Sequence, residues 1–268
     1  MTEATSAQVT DSVRRVLAPN AGPMTLAGTN TYVISAPDAA TAVVVDPGPL
    51  DEAHLARLTA TPVELVLLTH WHADHSDAAE EFGRRVGAPV RAFSPTFCLG
   101  GGTPLENCEV IEAAGVRIEV LETPGHTMDS ACFIVHEASG PVALTGDTVL
   151  GASSTVIAPP DGHVGSYLAT VAALAAFARA EAPVVPALPG HGPVIDDLAA
   201  ACDAVLAHRE ARLQEISAAL DELGLDADGL SPAGFAFVAE RVYGEVPEAL
   251  QHAAQNSLRA QLSYLRGR

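Results

Sequence analysis

Val63-Glu64-Leu65-Val66-Leu67-Leu68-Thr69-His70-Trp71-His72-Ala73-Asp74-His75-Ser76-Asp77 joins an apolar run to a segment that packs three histidines and an acid into six positions. VELVLL reads as a buried strand, so the polar string begins where a strand stops. A His-x-His-x-Asp-His string in that position is a candidate metal-binding loop, because imidazole and carboxylate are the ligands that zinc, iron or manganese accept. Trp71, the only tryptophan, sits between two of these histidines and is expected to support the loop by packing.

Three further segments place a ligand-type residue after a glycine near a strand end: His126 in ETPGHT, Asp147 in ALTGDT and His191 in LPGHG. In a layered sheet, strand ends of this kind meet along one edge. The candidate ligands are therefore His70, His72, Asp74, His75, His126, Asp147 and His191. Seven groups exceed the needs of one tetrahedral ion and fit two ions sharing a carboxylate. The lack of cysteine among them points to a hydrolytic rather than a purely structural site.

Around these motifs the chain alternates strand and helix patterns. Strands are expected at Thr31 to Ser35, Thr41 to Asp46, Val63 to Leu68, Val110 to Glu112, Val116 to Glu122, Cys132 to His136, Val142 to Thr145 and Val184 to Leu188. Helices are expected from Asp51 through Leu58, over AAEEFGRR with Ser76 or Asp77 as N-cap, and over Tyr167 to Ala180. This mixture predicts an α/β (α+β) class fold, two sheets with helices on their outer faces. Asp196 to Leu223 reads as one long helix, followed by a GLDADG turn, the segment SPAGFAFVAERVYG and a last helix from about Pro247. The division expected is a catalytic domain at 1–203 and a helical subdomain at 204–268.

The chain has 268 residues and a net charge of -19, with 33 acids against 14 basic residues, all of them arginine. Without lysine there is neither Schiff-base chemistry nor a P-loop lysine, and the average surface repels nucleic acid. No run approaches the roughly 18 apolar residues of a membrane span. The first twenty residues lack the apolar core of a signal peptide, so a cytoplasmic location is expected, with no membrane partner. Four cysteines without a Cys-x-x-Cys pair read as reduced thiols.

THWHADH, PGHT, GDT and PGHG, in that order, resemble the metallo-β-lactamase fold superfamily. That resemblance implies a four-layer αββα sandwich with a dinuclear metal site at the edge where two sheets meet. It implies that His70, His72 and His126 hold one metal, that Asp74, His75 and His191 hold the other, and that Asp147 bridges them. Two Zn2+ are the implied ions, with Mn2+ or Fe2+ as substitutes, and a metal-bridging hydroxide is the implied nucleophile. Asp74 is the candidate catalytic carboxylate. TLAGTNT at Thr25–Thr31, GDTVLGASSTVIAPPDG and HREARLQEI resemble the β-lactamase-like protein 2 group, which implies a winged-helix-like C-terminal subdomain and cleavage of single-stranded RNA.

The remaining readings are less specific. A small-molecule thioester or lactone, cleaved as by glyoxalase II relatives, is the alternative substrate to RNA, although those relatives hold substrate with basic side chains including lysine. A binding or scaffold protein with a vestigial metal site is the alternative from another class. The tail from Val205 carries more acids than arginines and forms no obvious RNA clamp. Arg84, Arg85 and Arg91 make a candidate basic patch whose simpler reading is a solvated helix face. Asn30 and Ser153-Ser154-Thr155 are candidates to line the cleft or to serve as turn residues. His163 is expected at a helix start, and His54, His136, His208 and His252 as ordinary surface or core histidines. The oligomeric state is left open.

Overall fold

The computed structural model describes residues 6–181, 184–225, 227–228 and 230–267. One sheet runs in the order β1 (Ser6–Gln8), β2 (Val13–Leu17), β3 (Asn30–Ile34), β4 (Ala42–Val45), β5 (Val63–Leu67), β6 (Val90–Arg91). Its first four strands are antiparallel and β4, β5 and β6 are parallel. In the second sheet, β7 (Val110–Ala113), β8 (Val116–Glu122), β9 (Ala131–Glu137) and β10 (Gly140–Gly146) are antiparallel, and β11 (Ala187–Pro189) joins β10 in parallel.

The central strands β3, β4, β9 and β10 are largely apolar and buried because both of their faces are covered. Val43, Val45, Leu65 and Leu67 point inward and meet Ile118, Val120, Phe133, Val135 and Leu144 of the other sheet. The intervening Val44, Val66 and Leu68 point outward onto Leu55 and Leu58 of α1 (Glu52–Leu58) and Phe82. Across the second sheet, Cys132, Ile134 and Ala143 pack on Tyr167, Val171 and Leu174 and on Leu198 and Cys202. Each such fully buried aliphatic or aromatic side chain contributes about 1.5–3 kcal/mol. The result is the expected αββα sandwich.

Behind β5 lie the one-turn α2 (Ala73–Ser76) and α3 (Ala79–Val86), and on the opposite face lies α4 (Val164–Ala180). α5 (Leu198–Leu223) leaves that face and continues into α6 (Pro232–Tyr243) and α7 (Gln251–Arg266), whose Val238, Leu258 and Leu262 close a small core over Ile216 and Leu220. The residue 203/204 division thus falls inside α5, whose start packs on the sandwich and whose end builds the tail. Among the described residues the tail holds no strand, so the wing implied by the subgroup resemblance is not part of the observed elements. Among the described residues, no helix is long and apolar enough to cross a membrane.

Some expectations shift. β1 and β2 lie outside the expected strands: Arg14 and Arg15 interrupt the apolar run VRRVL, yet Val13 and Val16 are fully buried. Neither Ser76 nor Asp77 caps α3: Ser76 belongs to α2, Asp77 is the C-cap of α2, and α3 starts after Ala78 with no side-chain cap. β11 is shorter than Val184 to Leu188. α4 begins three residues earlier than expected, capped by His163, whose ring nitrogen accepts from the Ser166 amide.

Candidate metal centre

All seven candidate ligands reach one edge of the sandwich. His70 follows β5, and His72 is the N-cap of α2, which carries Asp74 and His75 on its single turn. Ser76 Oγ donates to the carbonyls of Trp71 and His72 and staples that turn. His126 sits between β8 and β9, Asp147 directly follows β10, and His191 follows β11 by one glycine. Asn30 Nδ2 donates to the carbonyls of Pro189 and Gly192 on either side of His191. Asn30 is therefore a buried brace between the sheets rather than a cleft residue.

His70 Nε2 lies 3.1 Å from His72 Nδ1, which lies 3.0 Å from His126 Nε2. The other ring nitrogens fix the tautomers. His126 Nδ1 faces the Val156 carbonyl at 2.7 Å and must donate to it. Thr69 Oγ1 spends its proton on Asp46 Oδ2 at 2.7 Å, so it accepts from His70 Nδ1 at 3.0 Å. The Nε2 lone pairs of His70 and His126 thus converge on His72. Burial, then the neighbouring His75 and His126, holds His70 well below its ordinary pKa. Burial and His126 press His72 down to about 4, and burial lowers His126 despite Asp147. The three imidazoles are held neutral, and two of them, with their Nδ1 protons committed to Thr69 and Val156, aim lone pairs into one space. That is the donor set of a divalent cation.

Beside it, His75 Nε2 and His191 Nε2 are 3.3 Å apart. Asp74 Oδ2 lies 3.3 Å from the first and 3.1 Å from the second. Asp147 reaches both clusters: Oδ1 is 3.5 Å from His75 Nε2, and Oδ2 is 3.4 Å from His191 Nε2 and 3.8 Å from His126 Nε2. Burial opposes ionisation of both acids, but His75 and His191 outweigh it and hold Asp74 and Asp147 well below the usual carboxylate range. Burial likewise opposes charge on the two imidazoles. Asp147, Asp46 and Asp74 nevertheless raise His75, and hydrogen bonds to Asp147 and Asp74 raise His191 to about 9.

The residues fit bound metal. Donor atoms about 2.0–2.1 Å from a tetrahedral zinc lie about 3.3 Å apart, close to the separations in both clusters. Asp147 Oδ1 is buried without a hydrogen-bond partner, as a bridging ligand oxygen would be before its ion arrives. Among the described residues, three candidate metal-holding groups result: His70, His72 and His126; His70, His75 and Asp147; Asp74, His75 and His191.

Two glycines are required by this crowding. A Cβ on Gly190 would lie 2.4 Å from Asp147 Oδ1 and 2.8 Å from His75 Cε1. Gly146 has φ +48°, and its Cβ would lie 2.7 Å from the Thr69 Cβ. Gly190 is fixed by two candidate ligands, and Gly146 by Thr69, the residue that accepts from the His70 ring.

Sequence reasoning missed Asp46. Its Oδ1 accepts from the Thr69 amide at 2.8 Å and its Oδ2 accepts from His75 Nδ1 at 2.8 Å, so it orients the imidazole whose Nε2 faces the cluster. TAVVVDPG marked Asp46 only as a strand end. Thr29 was missed as well: its Oγ1 donates to Asp74 Oδ2 at 3.1 Å. Trp71 packs against the loop from its solvent side. It is 41% exposed, stands against His72 with ring centroids 4.5 Å apart, and donates from Nε1 to Asp161 Oδ2. The arginines named as a candidate basic patch are ion-paired at the surface, Arg84 with Glu81, Arg85 with Glu52 and Glu81, and Arg91 with Glu109.

Known proteins are similar to the chain over most of its length. The chain is 29% identical over 256 residues to the lactamase-like protein aptB of Emericella nidulans, covering 91% of this chain and 78% of that one. A crystal structure of a metallo-beta-lactamase family protein from Thermus thermophilus superposes with a TM-score of 0.73 at 24% identity, over 96% of this chain and 93% of that chain. A beta-lactamase domain protein from Burkholderia ambifaria gives a TM-score of 0.78 at 19% identity, over 98% and 89%. The model of the metallo-beta-lactamase superfamily matches residues 24–191, from just before TLAGTNT to the last candidate ligand. With its two-sheet sandwich and its histidine and aspartate cluster at the shared edge, the chain belongs to the metallo-β-lactamase superfamily.

Proposed function

We propose that the chain is a metal-dependent hydrolase holding two divalent ions, zinc in the first instance with manganese or iron as substitutes. The observation that carries this reading is the meeting of three neutral imidazoles with a carboxylate and imidazole cluster across Asp147. When bound, divalent ions supply Lewis acidity and lower the pKa of a coordinated water toward about 7. His70, His72 and His126 would hold one ion and Asp74, His75 and His191 the other, with Asp147 between them.

The protein's own residues do the rest. Asp46 and Thr69 fix the His75 and His70 rings, the Val156 and Gly28 carbonyls fix His126 and His191, and the crowded glycines keep bulk out of the site. Asp74 has a side chain 29% exposed, against 12% for Asp147 and 3% for Asp46. Of the three acids it is the one open enough to accept a proton from an attacking water, and it takes the role of general base.

A carboxylic ester, thioester or lactone suits this site better than RNA. Arg84, Arg85 and Arg91, the arginines that follow the metal loop, are engaged by glutamates and offer no free cationic track to a phosphate backbone. An aryl ester, an acyl thioester, a lactone and a single-stranded RNA assayed side by side, before and after chelation, test the reading. Turnover of at least one acyl substrate that chelation abolishes and added zinc restores is expected. Undiminished turnover after complete metal removal would overturn it.

A further inference from the structure

Next to the metal centre lies a depression of about 400 Å³ that holds none of the candidate ligands. Trp71, Phe93, Phe97 and Met128 form its apolar walls, and Glu122, Asp129 and Asp161 supply its charge; among the described residues no arginine lines it. It abuts the site directly, because the Trp71 ring that forms one wall is packed edge-on against the His72 imidazole. Met128 follows His126 by two residues and is 47% exposed.

The polar groups here are set for a cation. Asp161 Oδ2 accepts from Trp71 Nε1 at 2.8 Å and Oδ1 accepts from the Met128 amide at 3.3 Å, which holds the partly exposed indole in place as one wall of the depression. Asp129 Oδ1 accepts from Thr127 Oγ1, but Oδ2 is buried without a hydrogen-bond partner. Burial, together with the nearby Asp161 charge, pushes the Asp129 carboxyl above its ordinary range. Among the described residues no cationic side chain is paired with this carboxylate. An indole face and uncompensated carboxylates in one concave site are the elements that recognise an organic ammonium group.

We propose that this depression is the substrate-selecting subsite of the enzyme and binds an apolar group carrying a positive charge, such as a substituted ammonium, while excluding anionic substrates. Its role in selection rests on the hydrolase reading, but its occupancy can be measured without turnover. Trp71 is the only tryptophan in the chain, so its emission reports on this wall alone.

The experiment titrates the metal-loaded protein with benzyltrimethylammonium, phenylacetamide and phenylacetate while following tryptophan emission. Benzyltrimethylammonium is expected to bind about tenfold more tightly than phenylacetamide, and phenylacetate more weakly than either. The advantage of the cation should shrink with added salt. Asp161→Asn combined with Asp129→Asn should abolish that advantage while zinc content stays at the wild-type value. Equal binding of all three probes, preference for phenylacetate, or emission unresponsive to any of them would overturn the subsite. Failure of the hydrolase reading would show differently, as absent metal-dependent turnover with the cation preference intact.

Discussion

Asp46 Oδ2 lies 2.8 Å from His75 Nδ1, deep in the sandwich and one strand away from the loop that carries the histidine. The same carboxylate accepts from the Thr69 amide and hydroxyl, so it faces only donors. Asp46→Asn would turn an amide NH2 toward at least one of them. Metal affinity is expected to fall about 10- to 100-fold, read by competition against a chromophoric chelator, with circular dichroism unchanged. Unaltered affinity would remove Asp46 from the centre.

Gly190 offers a way to disturb the site without altering any ligand. Gly190→Ala drives a methyl into Asp147 Oδ1 and His75 Cε1. Zinc content and hydrolytic rate should collapse together. Gly87→Ala serves as the control, since its Cβ meets nothing within 4 Å and its cost is confined to backbone strain at φ +70°.

The tail bears on the centre through Arg209 of α5. This buried guanidinium donates to the Thr155 carbonyl and lies over the Tyr167 ring, 5.1 Å from its centroid, while Thr155 Oγ1 donates to the Asp147 carbonyl at 2.8 Å. Arg209→Leu is expected to cost about 2 kcal/mol in urea unfolding and to lower kcat more than it raises KM, because it loosens the loop bearing Asp147. A variant with wild-type stability and rate would show that α5 is only a cover.

His54 sets an acid limit on stability. It is fully buried, its ring contacts Thr31 Oγ1 at 2.9 Å, and burial followed by the Arg57 charge lowers its pKa to about 4. The unfolded chain, with an ordinary imidazole pKa near 6.5, binds the proton more readily. His54 therefore contributes stability in full above about pH 6.5 and loses it as pH falls toward 4. Unfolding of metal-free protein should show a difference between wild type and His54→Gln that varies with pH in this window and levels off above it. A difference constant from pH 4 to 8 would contradict the assignment.

What could be read from the chain followed from what each residue shows on its own. VELVLL and TAVVVD announce strands covered on both faces, and His70, His72, His75, His126 and His191 are rare enough in glycine and turn contexts to mark one edge. Asp46 and Thr29 stayed hidden because their importance lies in partners 29 and 45 positions away, and an acid at a strand end looks like ordinary turn chemistry. β2 stayed hidden because Arg14 and Arg15 mask two buried valines. Trp71 is legible as a neighbour of the ligands, but its exposure is not, since sequence order says nothing about which side of a loop meets solvent.

The number of ions held by the purified protein bears most directly on the reading of the centre. Protein prepared without chelator and dialysed against trace zinc should carry about two ions per chain by elemental analysis, and Asp147→Ala about one or fewer. A wild-type chain that holds no more zinc than His70→Ala/His191→Ala after the same dialysis would contradict the two-ion centre.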